Sequence, residues 1–116
     1  MLQTIEAKLS AIAEPVFYGT ADEIKNGGLW NYIVFFRDKL SRNDGNTGYT
    51  DFYTVGVVHE NWVPDELISD VIDAIESIPG MRLARADIDF NYTRKPGTNA
   101  VVEIASIPFC RSRKKV

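Results

Sequence analysis

Residues 51–78 constrain this chain more than any others, because the hydrophobic period changes partway along them. Residues 51–60 read Asp-Phe-Tyr-Thr-Val-Gly-Val-Val-His-Glu and are rich in β-branched and aromatic side chains, as a buried strand is. After Asn61, Leu67, Ile68, Val71, Ile72, Ile75 and Ile78 fall at helical spacing, while Asp65, Glu66, Ser69, Asp70, Asp73 and Glu76 take the opposite face. Pro64 suits a helix start, where its missing N–H has no partner to lose. Asp65 and Glu66 place negative charge at the positive end of the helix dipole, and Pro79-Gly80 stops the helix. A strand therefore runs into a helix over about 64–77 whose apolar stripe needs a sheet to cover.

The flanking segments supply that sheet. Leu2, Ile5, Leu9 and Ile12 predict a first amphipathic helix, ended at Glu14-Pro15. Residues 16–18 form a short strand candidate, and the polar stretch 20–28 reads as a loop. Residues 30–37 form a strand apolar on both faces, with Tyr32, Val34 and Phe36 on one and Ile33 and Phe35 on the other. Such a strand is central to a sheet or part of a subunit contact, and surplus apolar surface is expected on it. Residues 38–50 are dense in turn formers and too long for a tight hairpin. They are expected to be an interaction loop or a flexible tip. Residues 85–93 alternate, with Ile88, Phe90 and Tyr92 on one face, and Pro96-Gly97 predicts a type II turn into a last strand over 100–109. Pro108 predicts a sheet edge or the strand's exit. The fold class is α+β: a mostly antiparallel sheet with two amphipathic helices on one face, in the order α-β-β-β-α-β-β.

A chain of 116 residues forms one domain, expected over 1–110. The segment 111–116 reads as a basic C-terminal tail, either a solvated terminus or an arm that docks on an acidic neighbour. Arg111, Arg113, Lys114 and Lys115 are four of the 13 basic residues, which leaves nine against 16 acidic ones in the rest of the chain. That balance argues against a nucleic-acid groove. It also makes identical copies repel at long range, so self-association is expected to rise with salt. No apolar run approaches the roughly 20 residues of a membrane span. The first residues lack the basic start and unbroken apolar run of a signal peptide, and a single cysteine fits a reducing compartment.

Catalytic chemistry finds little footing. His59-Glu60 lacks a nucleophile elbow, and Cys110 beside an apolar strand reads as packing rather than an activated thiol. Asp87 and Asp89 share a strand face, most simply its wet side. Gly27-Gly28 lacks the Lys-Ser/Thr of a phosphate loop. The expectation is a non-enzyme with no metal and no cofactor.

Three stretches carry a resemblance: Trp30-Asn-Tyr-Ile-Val-Phe-Phe-Arg-Asp-Lys39, Thr50-Asp-Phe-Tyr-Thr-Val-Gly-Val-Val-His-Glu-Asn-Trp-Val-Pro64 and Tyr92-Thr-Arg-Lys-Pro-Gly-Thr-Asn-Ala-Val-Val-Glu103. With the element order, they resemble the tail terminator, or tail-completion, proteins of the neck of tailed bacteriophages and prophages. The resemblance implies a structural protein that forms a homo-oligomeric ring, typically a hexamer, on the end of the tail tube. The ring stops tube growth and joins the tube to the head connector. Its partners would be the major tail tube protein and the head-tail connector protein, with no membrane and no specific nucleic acid. Its place would be the virion neck, after assembly in the bacterial host cytoplasm. A head-side stopper or adaptor, and a cytoplasmic non-catalytic binding module, are the alternatives. The residues expected to make contacts are Trp30 and Tyr32, the loop residues Arg42, Asn43, Asp44, Asn46 and Tyr49, and the basic Arg111, Arg113, Lys114 and Lys115.

Overall fold

The computed structural model describes residues 1–12, 14–20, 30–43, 45, 47–95 and 97–114. The loop expected over 20–28 lies almost wholly outside them, as do Asp44, Asn46, Pro96 and Lys115. The elements are α1 (Leu2–Ser10), β1 (Val16–Tyr18), β2 (Tyr32–Arg42), β3 (Gly48–Glu60), α2 (Asp65–Glu76), β4 (Met81–Leu83), β5 (Asp89–Arg94) and β6 (Val101–Lys114). The fold is α+β, with one six-stranded sheet in the order β1-β2-β3-β6-β4, and β5 also paired with β6. The sheet is mixed: β1 runs parallel to β2, and the other pairs are antiparallel. The strand β4 was not expected. It is three residues long, too short for alternation to register.

Both helices lie on one face. Ile5 and Leu9 of α1 and Leu67, Val71 and Ile75 of α2 share a single buried cluster with Ile33, Phe35, Tyr53, Val55, Val57, Ala105, Ile107 and Phe109 of the sheet. The period-2 alternation of β2, β3 and β6 aims these residues to the same side, because partners directly opposite in the ladder share a face. On the other face Gly56 lies opposite Val34. A Cβ there would come within 3.1 Å of the Val34 Cγ1, a contact tight enough that Val34 would have to shift by a few tenths of an ångström. Val58, Val102 and Cys110 are buried outside the helix-side cluster.

Three expectations are corrected. First, 38–50 is not a long loop. β2 continues to Arg42 and β3 begins at Gly48, so the hairpin connection is short and closed by Asn43 N–H donating to the Gly48 carbonyl at 2.8 Å. Residues 39–42 are extended because each has a ladder partner in β3, which local composition does not reveal. Second, the basic segment is strand as far as Lys114: residues 111–114 of β6 pair with residues 48–51 of β3. Third, Pro108 sits at neither an edge nor an exit. Its carbonyl accepts from Ala84 N–H at 2.9 Å on the side away from β3, so its missing N–H also faces that side. There it falls between the rungs of β4, which end at Phe109, and those of β5, which begin at Ser106. No ladder bond is lost.

Candidate interaction surfaces

Along β2, β3 and β6 the buried cluster ends at Phe35, Tyr53 and Phe109, with Met81 of β4 reaching the level of Arg111, yet these three strands continue beyond it as an arm. The molecule measures 52 × 25 × 24 Å, with a radius of gyration of 15.3 Å. A compact chain of this length would have about 13 Å. A bulge at the base of the arm sets its faces. The register shifts between Arg37 and Lys39, so the extra residue turns Leu40 and Arg42 to the side they would otherwise avoid. Leu40 then lies opposite Asp51 and Arg42 opposite Tyr49. Across β3, Asp51 faces Arg111 and Tyr49 faces Arg113. The helix-side face of the arm thus gathers Arg37, Arg42, Arg111 and Arg113 around Asp51, the one acidic residue on it among the described residues.

That residue, Asp51, is only 7% exposed and is paired with Arg113, its Oδ2 3.0 Å from Nε. The Arg113 guanidinium also lies over the Tyr49 ring, 5.6 Å from its centre. Arg111 Nε donates to the Pro79 carbonyl at 3.3 Å and fastens the arm's base to the turn after α2. Burial raises the Tyr53 hydroxyl above the ordinary tyrosine value, and the Asp51 charge adds to this, while Arg37, Arg111 and Arg113 oppose it. A shallow cleft of about 290 Å³ opens here, lined by Arg37, Asp38, Lys39, Leu40, Asp51 and Arg113. On the reverse face Lys39 lies over Phe52, and Thr50 donates to the Asn43 carboxamide oxygen at 2.8 Å.

The expected contact residues separate accordingly. Arg42, Asn43, Tyr49, Arg111 and Arg113 come together on or beside the arm, and the backbone of Lys114 ends β6 there. Trp30 and Tyr32 lie at the other end of β2, both half-buried, and the Tyr32 ring packs edge-on against Phe17 at 5.9 Å. Surplus apolar surface is therefore not concentrated on that strand. Among the described residues the exposed large apolar side chains are Tyr18, Leu40, Trp62, Phe90, Tyr92 and Val101. Ile88 packs on the core as its alternation implies, but Phe90 and Tyr92 of the same stripe are left uncovered. The Glu103 carboxylate organises this end. It accepts from Val63 N–H at 2.8 Å and from the Tyr92 hydroxyl, a hydrogen bond that raises the Tyr92 value.

His59 and Cys110 lie too far apart to act as a pair. His59 is opposite Glu103 in β6, so Cys110 lies seven residues further along that strand, about 23 Å away. His59 Nε2 instead meets Glu14 Oε1 at 2.8 Å and ties the end of β3 to the segment before β1. Cys110 is buried. Asp89 is held by Arg85 at 2.9 Å. Among the described residues no group of three or more His, Cys, Asp or Glu is placed to hold a metal ion, and no helix is long and apolar enough to cross a membrane. In comparisons with known proteins, no family model and no curated protein matches the chain.

Proposed function

We propose that the protein is a structural component of the neck of a tailed bacteriophage or prophage: a tail terminator that forms a ring, most simply of six copies, on the end of the tail tube. The ring stops tube growth and offers the head connector a surface, and no catalytic step is involved. Resemblance over 30–39, 50–64 and 92–103 supports this reading, but the observation that carries it is the arm. A single small domain that extends three paired strands past its own core has built a projection its own core does not need, and projections of this kind serve contact between molecules. Any contact joining two different patches of one chain is head-to-tail, and it closes into a ring when its rotation closes.

The test is polymerisation of the major tail tube protein with and without this protein, read by negative-stain electron microscopy. Tubes are expected to be capped at one end and shorter when it is present. A protein that never co-sediments with tube ends at any salt concentration, alone or in excess, removes the terminator reading. Binding to purified connector with none to the tube moves it to the head side of the neck.

A further inference from the structure

We infer that the helix-side face of the arm is the docking surface for α2 of a second copy of this chain. The inference rests on the ring reading above and names the surfaces that join neighbours. The arm face presents Arg37, Arg42, Arg111 and Arg113, against which Asp51 is the one carboxylate among the described residues, with Leu40 half-exposed among them. It points to the side on which the rest of the sheet carries its helices, and the buried cluster touches only its base, at Met81 opposite Arg111. Among the described residues, no helix lies over the part beyond that base.

The same chain carries a helix with the opposite charge. Residues 61–80 contain five acidic residues and no Lys or Arg. Asp65, Glu66, Asp70, Asp73 and Glu76 are all exposed, because Leu67, Val71 and Ile75 turn the other side of α2 into the core. Among the described residues, Asp65, Glu66, Asp70 and Asp73 make no ion pair. The spacing also matches. Glu66, Asp70 and Asp73 form one stripe, with the outer two about 10 Å apart along the axis. Arg42, Tyr49 and Arg113 form one rung across three strands, which separates the two arginines by about 10 Å. A helix laid across the strands would bring Glu66 and Asp73, the outer two carboxylates, near the two guanidiniums, with Tyr49 and Leu40 beneath it.

The two surfaces cannot meet within one molecule. The acidic side of α2 faces away from the sheet to which the arm belongs, and α2 is fixed by its buried side. Each copy therefore offers one donor surface and one acceptor surface, a head-to-tail arrangement. Because the charges are segregated, contact is attractive although the net charge is negative, and this reverses the salt dependence that net charge alone implies.

The experiment uses two charge-reversed proteins, each checked for folding by circular dichroism and thermal melting. One carries Arg37→Glu with Arg42→Glu, which leaves the Arg113–Asp51 pair intact. The other carries Asp70→Lys with Asp73→Lys. Assembly is read by mass photometry at high protein concentration and by co-sedimentation with tube ends, in about 0.1 M salt. Each variant alone is expected to lose at least tenfold in assembled fraction, and an equimolar mixture of the two is expected to regain it. Raising salt to about 1 M should weaken wild-type assembly, as the screening length falls from about 10 Å to about 3 Å. Arg42→Gln, the gentlest change, should weaken assembly less than the reversal does. Wild-type-like assembly of either reversed protein alone, a folded mixture that fails to recover, or wild-type assembly that strengthens with salt overturns the inference while leaving the ring standing. A wild-type protein that assembles neither alone nor on tube ends overturns both.

Discussion

Replacing Ile75 by Ala, with Ile72 to Ala as its partner experiment, tests the helical phase on which the core depends. Both residues lie in the apolar stripe of α2, three positions apart, but the fold treats them differently. Ile75 is 1% exposed inside the shared cluster, whereas Ile72 is only partly buried at its margin. Truncating Ile75 removes three carbon atoms from a closed environment. At about 0.8 kcal/mol for each buried methylene the transfer loss is roughly 2.5 kcal/mol, and the cavity left between α2 and the sheet brings the cost to about 3–4 kcal/mol. Truncating Ile72 removes atoms that water already reaches in part and should cost about 1 kcal/mol. Against a total of about 5–15 kcal/mol, the first loss is large. Urea titration should show the midpoint of Ile75→Ala falling about three times as far as that of Ile72→Ala, with unchanged slope in both. Equal losses, or the larger loss at Ile72, would mean that α2 is rotated about its axis from the position described and would refute the packing argument.

Other outcomes follow from the base of the arm and the turn beside it. Tyr53 has a folded-state value raised above the ordinary 10.0, so the stability it contributes is full below about pH 10 and is lost as pH rises through the folded value. Urea titrations between pH 8 and 11.5 should show Tyr53→Phe losing less stability at the alkaline end than wild type. Asp51→Asn removes the charged partner of Arg113 and should cost about 1 kcal/mol. The same change should lower the Tyr53 value, read by ultraviolet titration of the phenolate, because one of the two causes that raise it is gone. Gly80 has φ +81° with only ordinary contact for an added Cβ, so Gly80→Ala should lose about 1–2 kcal/mol from backbone strain alone, seen as a fall in the melting temperature.

The parts of the fold legible in the sequence are those written in long periods. The stripe through Leu67, Val71 and Ile75 and the alternation through Ile33 and Phe35 each repeat enough to identify an element and the side it buries. The turn around Gly97 was legible too, since Thr98 N–H donates to the Lys95 carbonyl at 3.1 Å and Gly97 has φ +76°. What could not be read is pairing over distance. Residues 38–42 and 111–114 look like loop and tail because they are polar. They are strand only because β3 stands between them. The bulge after Arg37 adds a second obstacle, since it inverts the facing of every later residue in β2 and breaks the simple alternation. Of the surface residues, the sequence singled out Arg42, Arg111 and Arg113 of the arm but neither Arg37 nor the aspartate they surround. Asp51 was read as the start of a strand, and only its place opposite Leu40 and Arg111 shows its role.

The position of β6 also governs how the chain reaches this structure. It is the last of the described strands in sequence, yet it occupies the interior of the sheet, with β3 on one side and β4 and β5 on the other. Its partners in β3 are between 42 and 66 residues away along the chain. Until β6 docks, the ladder of Val55 and Val57 has an open side and α2 has half a floor, so neither helix can complete its burial. Non-local pairing of this kind places folding in the milliseconds-to-seconds range rather than the microseconds of helical bundles. It also leaves a β-branched edge exposed while the chain is being synthesised.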